Sequence, residues 1–307
     1  MPMPHPTGTE VVPAWFTEAV AWRPEVGSVE VEGVPINVLA WGSRSLPTLT
    51  LVHGGAAHAR WWDVVAPMLA DQHRVVAVDL SGHGDSDHRD VYDPGVWGEE
   101  VMAATEALGG TGRPVIAGHS MGGFVTMLIA ERWGASLAGT ILLDSPLRRP
   151  DPESEEGRGG AMFRNPKVYA DLDTAAEHFH LVPEQPRTNE YLIDHVARRS
   201  LREVEGGWTW KFDPRVFVSR IGPTGPADYA AGLSNAACRV AVVTGQRSAI
   251  IDDDVRTYMA ELLTRAPGAA QGVPFIEIPE AHHHLMFDQP LELVTALRAV
   301  VGTWRAT

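Results

Sequence analysis

A chain of 307 residues with 44% apolar and 21% charged side chains can bury a sizeable core, and its length suits one domain carrying an insertion. A net charge of −14 argues against nucleic acid or an anionic membrane surface as partner, because either calls for a basic face. The single cysteine, Cys238, permits no internal disulfide, which fits a reducing compartment, and its apolar neighbours mark it as a buried thiol without chemistry.

Residues 1–24 hold five prolines and are expected to wrap the surface irregularly. The opening MPMPHPTGTE lacks the basic and apolar regions of a signal peptide, and no apolar run approaches a membrane span, so a cytoplasmic location is expected. Segments 29–31 and 36–41 read as strands joined by a turn at Glu32-Gly33, an antiparallel hairpin. Segment 49–52 is the next strand and runs into His53-Gly54-Gly55-Ala56-Ala57. Residues 61–70 have the apolar spacing of a helix. Segment 75–78 is a strand ending at Asp79-Leu80-Ser81-Gly82-His83-Gly84-Asp85-Ser86, and 96–108 is a helix closed by Gly109-Gly110.

The run 114–117 suits a buried strand and 124–133 a helix, with Gly118-His119-Ser120-Met121-Gly122 between them. This is G-x-S-x-G at a strand-to-helix turn. A turn that sharp leaves no room for side chains beside the serine, so both flanks are glycine. It lifts the Ser120 hydroxyl clear of the backbone, above a helix N-terminus that favours developing negative charge. A further strand, 139–143, ends at Asp144.

The rhythm breaks at Pro146. From there to about Gly232 the chain is polar and rich in Pro, Arg and Glu. It carries helical patches at 174–179 and 190–201 and the segment Gly206-Gly207-Trp208-Thr209-Trp210-Lys211-Phe212. Strand 239–243, helix 253–263, strand 274–278 and helix 291–304 then resume the alternation. The pattern predicts an α/β fold, a mostly parallel central sheet with helices on both faces. Residues 1–145 and 235–307 form its core, and 146–234 an insertion folded over the sheet.

Four stretches together resemble the α/β-hydrolase superfamily: Leu51-Val52-His53-Gly54-Gly55, the run from Asp79 to Ser86, Gly118-His119-Ser120-Met121-Gly122-Gly123, and Ala281-His282-His283-His284-Leu285-Met286-Phe287-Asp288-Gln289-Pro290. Each falls at the carboxyl end of an expected strand, and the resemblance covers about 20–145 and 235–305. It implies the α/β-hydrolase fold with a helical cap over the active site, at the place of the insertion. It does not imply a substrate.

A serine hydroxyl needs a base within hydrogen-bond reach. Serine at 120, where epoxide hydrolases and haloalkane dehalogenases of this fold use a carboxylate, favours acyl over alkyl-enzyme chemistry. The resemblance places the base after the last strand. Aligning Ile278-Pro279 and Pro290 with the superfamily pattern puts the imidazole at His283, with His282 and His284 as alternatives. A metal site is the competing reading of the triplet, but adjacent side chains diverge and no metal-ligand spacing supports it. No metal or cofactor is expected.

The resemblance places the acid in a G-x-x-D pattern after strand 239–243. Here that reads Gly245-Gln246-Arg247-Ser248, without a carboxylate. Some members carry the acid one strand earlier, which points to Asp144. Asp252 and its neighbours are the alternative, although their expected task is to cap the following helix. The oxyanion hole needs two backbone N–H groups, expected from Met121 and Gly55, while His53 is expected to brace the loop. His119, Trp208 and Trp210 are candidate substrate-pocket residues, the tryptophans as its roof. His178, His180 and His195 are expected to face solvent. The expected activity is hydrolysis of a carboxylic ester or lactone through an acyl-enzyme. Acyl transfer, carbon–carbon bond hydrolysis with the same triad, or a non-enzymatic small-molecule receptor are the alternatives. The expected partners are a small-molecule substrate and at most a second copy in a homodimer.

Overall fold

Short β-branched runs alternating with longer amphipathic segments give an eight-stranded sheet between two layers of helices in a computed structural model, which describes residues 12–150, 167–217 and 227–305. The strands are β1 (Glu25–Val31), β2 (Val34–Trp41), β3 (Pro47–Val52), β4 (Arg74–Val78), β5 (Thr111–His119), β6 (Gly139–Leu143), β9 (Arg239–Gly245) and β10 (Phe275–Ile278), in the order β1-β2-β4-β3-β5-β6-β9-β10. β2 pairs antiparallel with β1 and β4. Every pair from β4 to β10 is parallel.

Central strands of such a sheet are covered on both faces, and the sequence obeys this: all five residues of β4 and of β6 are buried. The period-2 alternation sorts them into two cores. Leu49, Leu51, Val75 and Ala77 face one core with α2 (Val65–Leu69) and α9 (Pro290–Arg305), whereas Val52, Val76 and Val78 face the other with α3 (Pro94–Leu108), α4 (Met121–Arg132) and α8 (Asp253–Leu263). Cys238 lies buried in the second core.

Two local expectations fail for identifiable reasons. Part of the proline-rich N-terminal region forms α1 (Ala14–Ala21), opened by Pro13, which buries Phe16 and Ala19; residues 1–11 lie outside the described residues. The helix expected over 61–70 is broken into a 3-10 turn, Ala59–Trp62, and the short α2. Pro67 explains the break, because its ring would clash with the carbonyl four residues back, at Asp63.

Between β6 and β9 the described residues form α5 (Leu172–Glu177), α6 (Glu190–Arg199), the antiparallel hairpin β7 (Leu201–Val204) and β8 (Gly207–Trp210), a 3-10 turn at Pro214–Phe217, and α7 (Tyr229–Ser234). The segment expected to be helical therefore carries a two-stranded sheet of its own. Its β8 holds Trp208, Thr209 and Trp210, residue types that favour an extended chain. α6 buries Leu192, Ile193, Val196 and Ala197 and meets α1, with the Phe16 and Tyr191 ring centroids 4.8 Å apart. α7 packs on α4, where Gly232 lies against the Met127 backbone. No helix among the described residues is long and apolar enough to cross a membrane.

Candidate active site

Parallel strands deliver their carboxyl ends to one rim, and the candidate residues collect there. Ser120 follows β5, Asp144 follows β6, the Gly245–Ser248 turn follows β9, and His283 follows β10. Ser120 has φ +53° and ψ −117°, the sharp turn that the pentapeptide implies. A Cβ on Gly118 would fall 2.2 Å from the Gly122 carbonyl oxygen, and one on Gly122 would fall 2.5 Å from that of His53. Nothing larger than glycine fits at either flank.

The three side chains form one hydrogen-bonded line. His283 Nε2 lies 3.1 Å from Ser120 Oγ, and His283 Nδ1 lies 2.8 Å from Asp144 Oδ2. Asp144 is fully buried yet well satisfied. Its Oδ1 accepts from the Gly245 N–H at 2.9 Å, and its Oδ2 also accepts from Ser248 Oγ at 2.6 Å. The serine that occupies the superfamily's usual acid position thus donates to the carboxylate one strand away, a contact the linear sequence does not advertise. Asp252 is drawn elsewhere. It caps α8 through the Val255 N–H, and the Arg148 guanidinium 2.7 Å away holds its carboxyl below the usual range.

The three adjacent histidines separate cleanly. His282 is held at its N–H and at Nδ1 by Asp288 Oδ2, 2.7 and 2.9 Å away. The His284 N–H donates to Gln185 Oε1 at 2.8 Å, and its ring packs edge-on against Trp61. Gln185 also donates to Asp288 Oδ1 at 3.0 Å. One glutamine from the insertion therefore ties down the whole loop that presents His283, a contact between residues 99 and 103 positions apart.

Met121 is the first residue of α4, so its N–H has no partner within the helix. Gly55 lies beside it; a Cβ there would fall 3.7 Å from Met121 Sδ. His53 braces this loop. Its Nδ1 donates to the Gly54 carbonyl at 2.7 Å, and its Nε2 accepts from the Leu80 N–H at 3.1 Å. A trans peptide points its N–H opposite to its carbonyl, so anchoring Gly54 C=O on His53 turns Gly55 N–H the other way. Asp79 secures the adjoining turn by accepting from the Ala59 and Asp85 N–H groups and from Asn37.

Beside Gly55 and Ala56 opens a cavity of about 270 Å³ walled by Trp61, Tyr169, Phe179, Trp210 and Phe212, with His284 on its floor. An open cleft of about 450 Å³ around Trp22, Trp41 and Arg74 lies at the opposite ends of the strands and shares none of these residues. Of the two tryptophans expected as a roof, Trp210 lines the cavity. Trp208 packs outside it, its backbone paired with Tyr169. His119 does not line the cavity either. It is buried behind Ser120, and its Nε2 lies 2.9 Å from the His283 carbonyl oxygen. His178 and His180 are exposed at the cavity wall, but His195 is half-buried and bonded to Asp63 at 3.1 Å.

Burial lowers the pKa of His53, His58, His83, His119 and His284, that of His53 from 6.5 to about 4. These imidazoles are neutral in the folded chain at pH 7. Below pH 6.5 the unfolded chain binds protons that the folded one refuses, so stability falls with acidification. His53 alone costs on the order of 3 kcal/mol by about pH 4. Asp79 and Glu100, raised by burial, oppose this, but they are two against these five and a sixth imidazole lowered by burial, His88. The midpoint of thermal unfolding is therefore expected to drop steadily from pH 7 to pH 5. A midpoint that is flat or rising over that range would contradict the neutral-histidine account.

With this geometry in view, comparison with known proteins adds the following. The model of the alpha/beta hydrolase family matches residues 51–297. The Mycobacterium tuberculosis esterase Rv0045c is 30% identical over 294 residues, covering 91% of this chain and 90% of the relative. A serine hydrolase-like protein of Danio rerio is 29% identical over 198 residues, 59% of each chain. Among solved structures, E-2-(acetamidomethylene)succinate hydrolase superposes with a TM-score of 0.76 at 18% identity, covering 91% of this chain and all of the other. The thioesterase domain of the curacin pathway superposes at 0.72 and 23%, covering 89% of this chain and 99% of the other. At those identities the structural matches speak for the fold alone.

Proposed function

The chain belongs to the alpha/beta hydrolase family, and from that premise we propose that it is a serine hydrolase cleaving carboxylic esters or lactones through an acyl-enzyme on Ser120. The observation that carries this reading is the unbroken line Ser120–His283–Asp144, with bonds of 3.1 and 2.8 Å. The esterase relative in M. tuberculosis supports the ester class.

His283 Nε2 takes the Ser120 proton as Oγ attacks the substrate carbonyl. Asp144 keeps the proton of His283 on Nδ1 and stabilises the imidazolium that forms. The developing oxyanion sits against the N–H groups of Met121 and Gly55, in place before the reaction begins. His283 then protonates the departing alcohol. A water molecule, deprotonated by the same imidazole, releases the acyl group. The residues at 146–234 act as a cap, and their aromatic side chains form the pocket for one side of the ester. No cofactor is required for any of these steps.

A fluorophosphonate probe is expected to label the folded protein once, at Ser120, as read by peptide mass spectrometry. Absence of labelling at any probe concentration would sink the proposal. A cavity of about 270 Å³ also limits the acyl group. Among p-nitrophenyl esters, kcat/KM should be higher for butyrate and hexanoate than for palmitate; the reverse order would reassign the pocket.

A further inference from the structure

Asp144 and His283 leave strands that are not neighbours. Asp144 follows β6, His283 follows β10, and β9 lies between them, paired parallel with both. The turn after β9 therefore stands where the two side chains meet. It is stitched to both neighbours. The Asp144 N–H donates to the Val243 carbonyl at 2.8 Å. On the other side, the Gln246 N–H donates to the Ile278 carbonyl at 3.0 Å and the Arg247 N–H to the Ala281 carbonyl at 2.8 Å. Gly245 sits so close to the loop of His283 that a Cβ there would fall 2.4 Å from the His282 carbonyl oxygen.

Asp144 is wholly buried, and a buried carboxylate needs donors on both oxygens. The Gly245 N–H serves Oδ1 at 2.9 Å. Oδ2 takes two donors, the Ser248 hydroxyl at 2.6 Å and His283 Nδ1–H at 2.8 Å. A carboxylate only accepts, so the Ser248 hydroxyl proton lies in this bond. The Ile250 N–H, 3.4 Å from Ser248 Oγ, faces a lone pair of the same hydroxyl and leaves its hydrogen to Asp144. The last torsion of an aspartate is soft, so a hold on Oδ1 alone would leave the carboxylate free to pivot. Gly245 and His283 are buried, whereas Ser248 is half-buried. Its hydroxyl lies on the side of Asp144 that is nearest to water.

We propose that Ser248 is a positioning residue of the triad: its hydroxyl, delivered by the strand between acid and base, holds Asp144 Oδ2 in line with His283 Nδ1 and keeps water out of that bond. The base works only while its proton stays on Nδ1 and its ring stays turned toward Ser120, 3.1 Å away. A loosened Oδ2 frees the ring. Ser248 does not line the cavity, so its loss should fall on kcat and spare KM. The rate effect rests on the hydrolytic reading; the effect on the Asp144–His283 bond does not.

The test compares Ser248→Ala, Ser248→Thr and Gln246→Ala in the full chain. Gln246 is the structural control, because its Oε1 accepts from the Glu280 N–H at 3.1 Å and so ties the same turn down away from Asp144. With p-nitrophenyl butyrate, Ser248→Ala is expected to lower kcat about 10-fold at unchanged KM. Proton NMR reads the bond without substrate. The His283 Nδ1–H resonance, sharp in the parent, should broaden by exchange with water in Ser248→Ala. Ser248→Thr keeps the hydroxyl and should restore both readouts, while Gln246→Ala should lower only the unfolding midpoint. Ser248→Cys, a weak donor, takes the place of the alanine variant if circular dichroism shows that the latter does not fold. Each of three results overturns the proposal: a sharp Nδ1–H resonance or a parent-like kcat in Ser248→Ala, a threonine variant as impaired as the alanine one, or both losses reproduced by Gln246→Ala. A parent that hydrolyses no ester sinks the hydrolytic reading, and the resonance then decides the role of Ser248 alone.

Discussion

A Ser120→Ala variant is expected to fold as the parent does and to lose ester hydrolysis by about 10⁵- to 10⁶-fold. The substitution removes one oxygen and leaves the backbone demand unchanged, because alanine bears the same Cβ at φ +53° as serine. Ala56 already holds φ +57° in the same rim. What disappears is the atom that attacks and the partner 3.1 Å from His283 Nε2. Some residual rate over the uncatalysed reaction should survive, since the oxyanion donors still bind the carbonyl. Initial rates with a p-nitrophenyl ester measure the loss, and the unfolding midpoint serves as control. Retention of more than a few per cent of activity would assign the chemistry to another nucleophile.

Asp144→Asn should cost about 10⁴ in kcat with little change in KM. The amide is isosteric, but His283 and Ser248 both donate to Oδ2. An asparagine NH₂ at that position would face two donors. An asparagine turned to present its oxygen there would set its NH₂ against the Gly245 N–H. Either orientation frustrates the network, and the imidazolium loses its counter-charge. Asp252→Asn is the matched comparison. It keeps an oxygen that can cap α8 and loses only an exposed ion pair with Arg148, so it should leave both kcat and the unfolding midpoint near those of the parent. A near-normal Asp144→Asn paired with a crippled Asp252→Asn would reverse the assignment of the acid.

Much of the fold was legible because its signals are local. β4 and β6 are short, mostly apolar runs, and α3 and α8 have aspartate caps, Asp93 and Asp252, at their starts. The elbow declared itself because Gly118 and Gly122 answer to contacts a few residues away. The misreadings came from longer range. Apolar spacing over 61–70 matched a helix, yet Trp61, Trp62 and Val65 are buried on all sides, and Pro67 forbids the continuous form. The preference for His283 over His282 and His284 came from the resemblance, while the Gln185 contact that holds their loop lies about a hundred residues upstream, outside any local pattern. His119 alternates with Ser120 along the chain and so falls behind the nucleophile, not into the pocket.

Gln185 also constrains how ligands come and go. Its oxygen holds the His284 N–H and its nitrogen holds Asp288, so one side chain bridges the stretch over the sheet and the loop carrying the base. If that stretch swung away as a rigid door, it would pull on the imidazole that must stay 3.1 Å from Ser120. Ligand exchange is therefore expected to spare this latch and to use the side of the cavity where His178 and His180 are exposed.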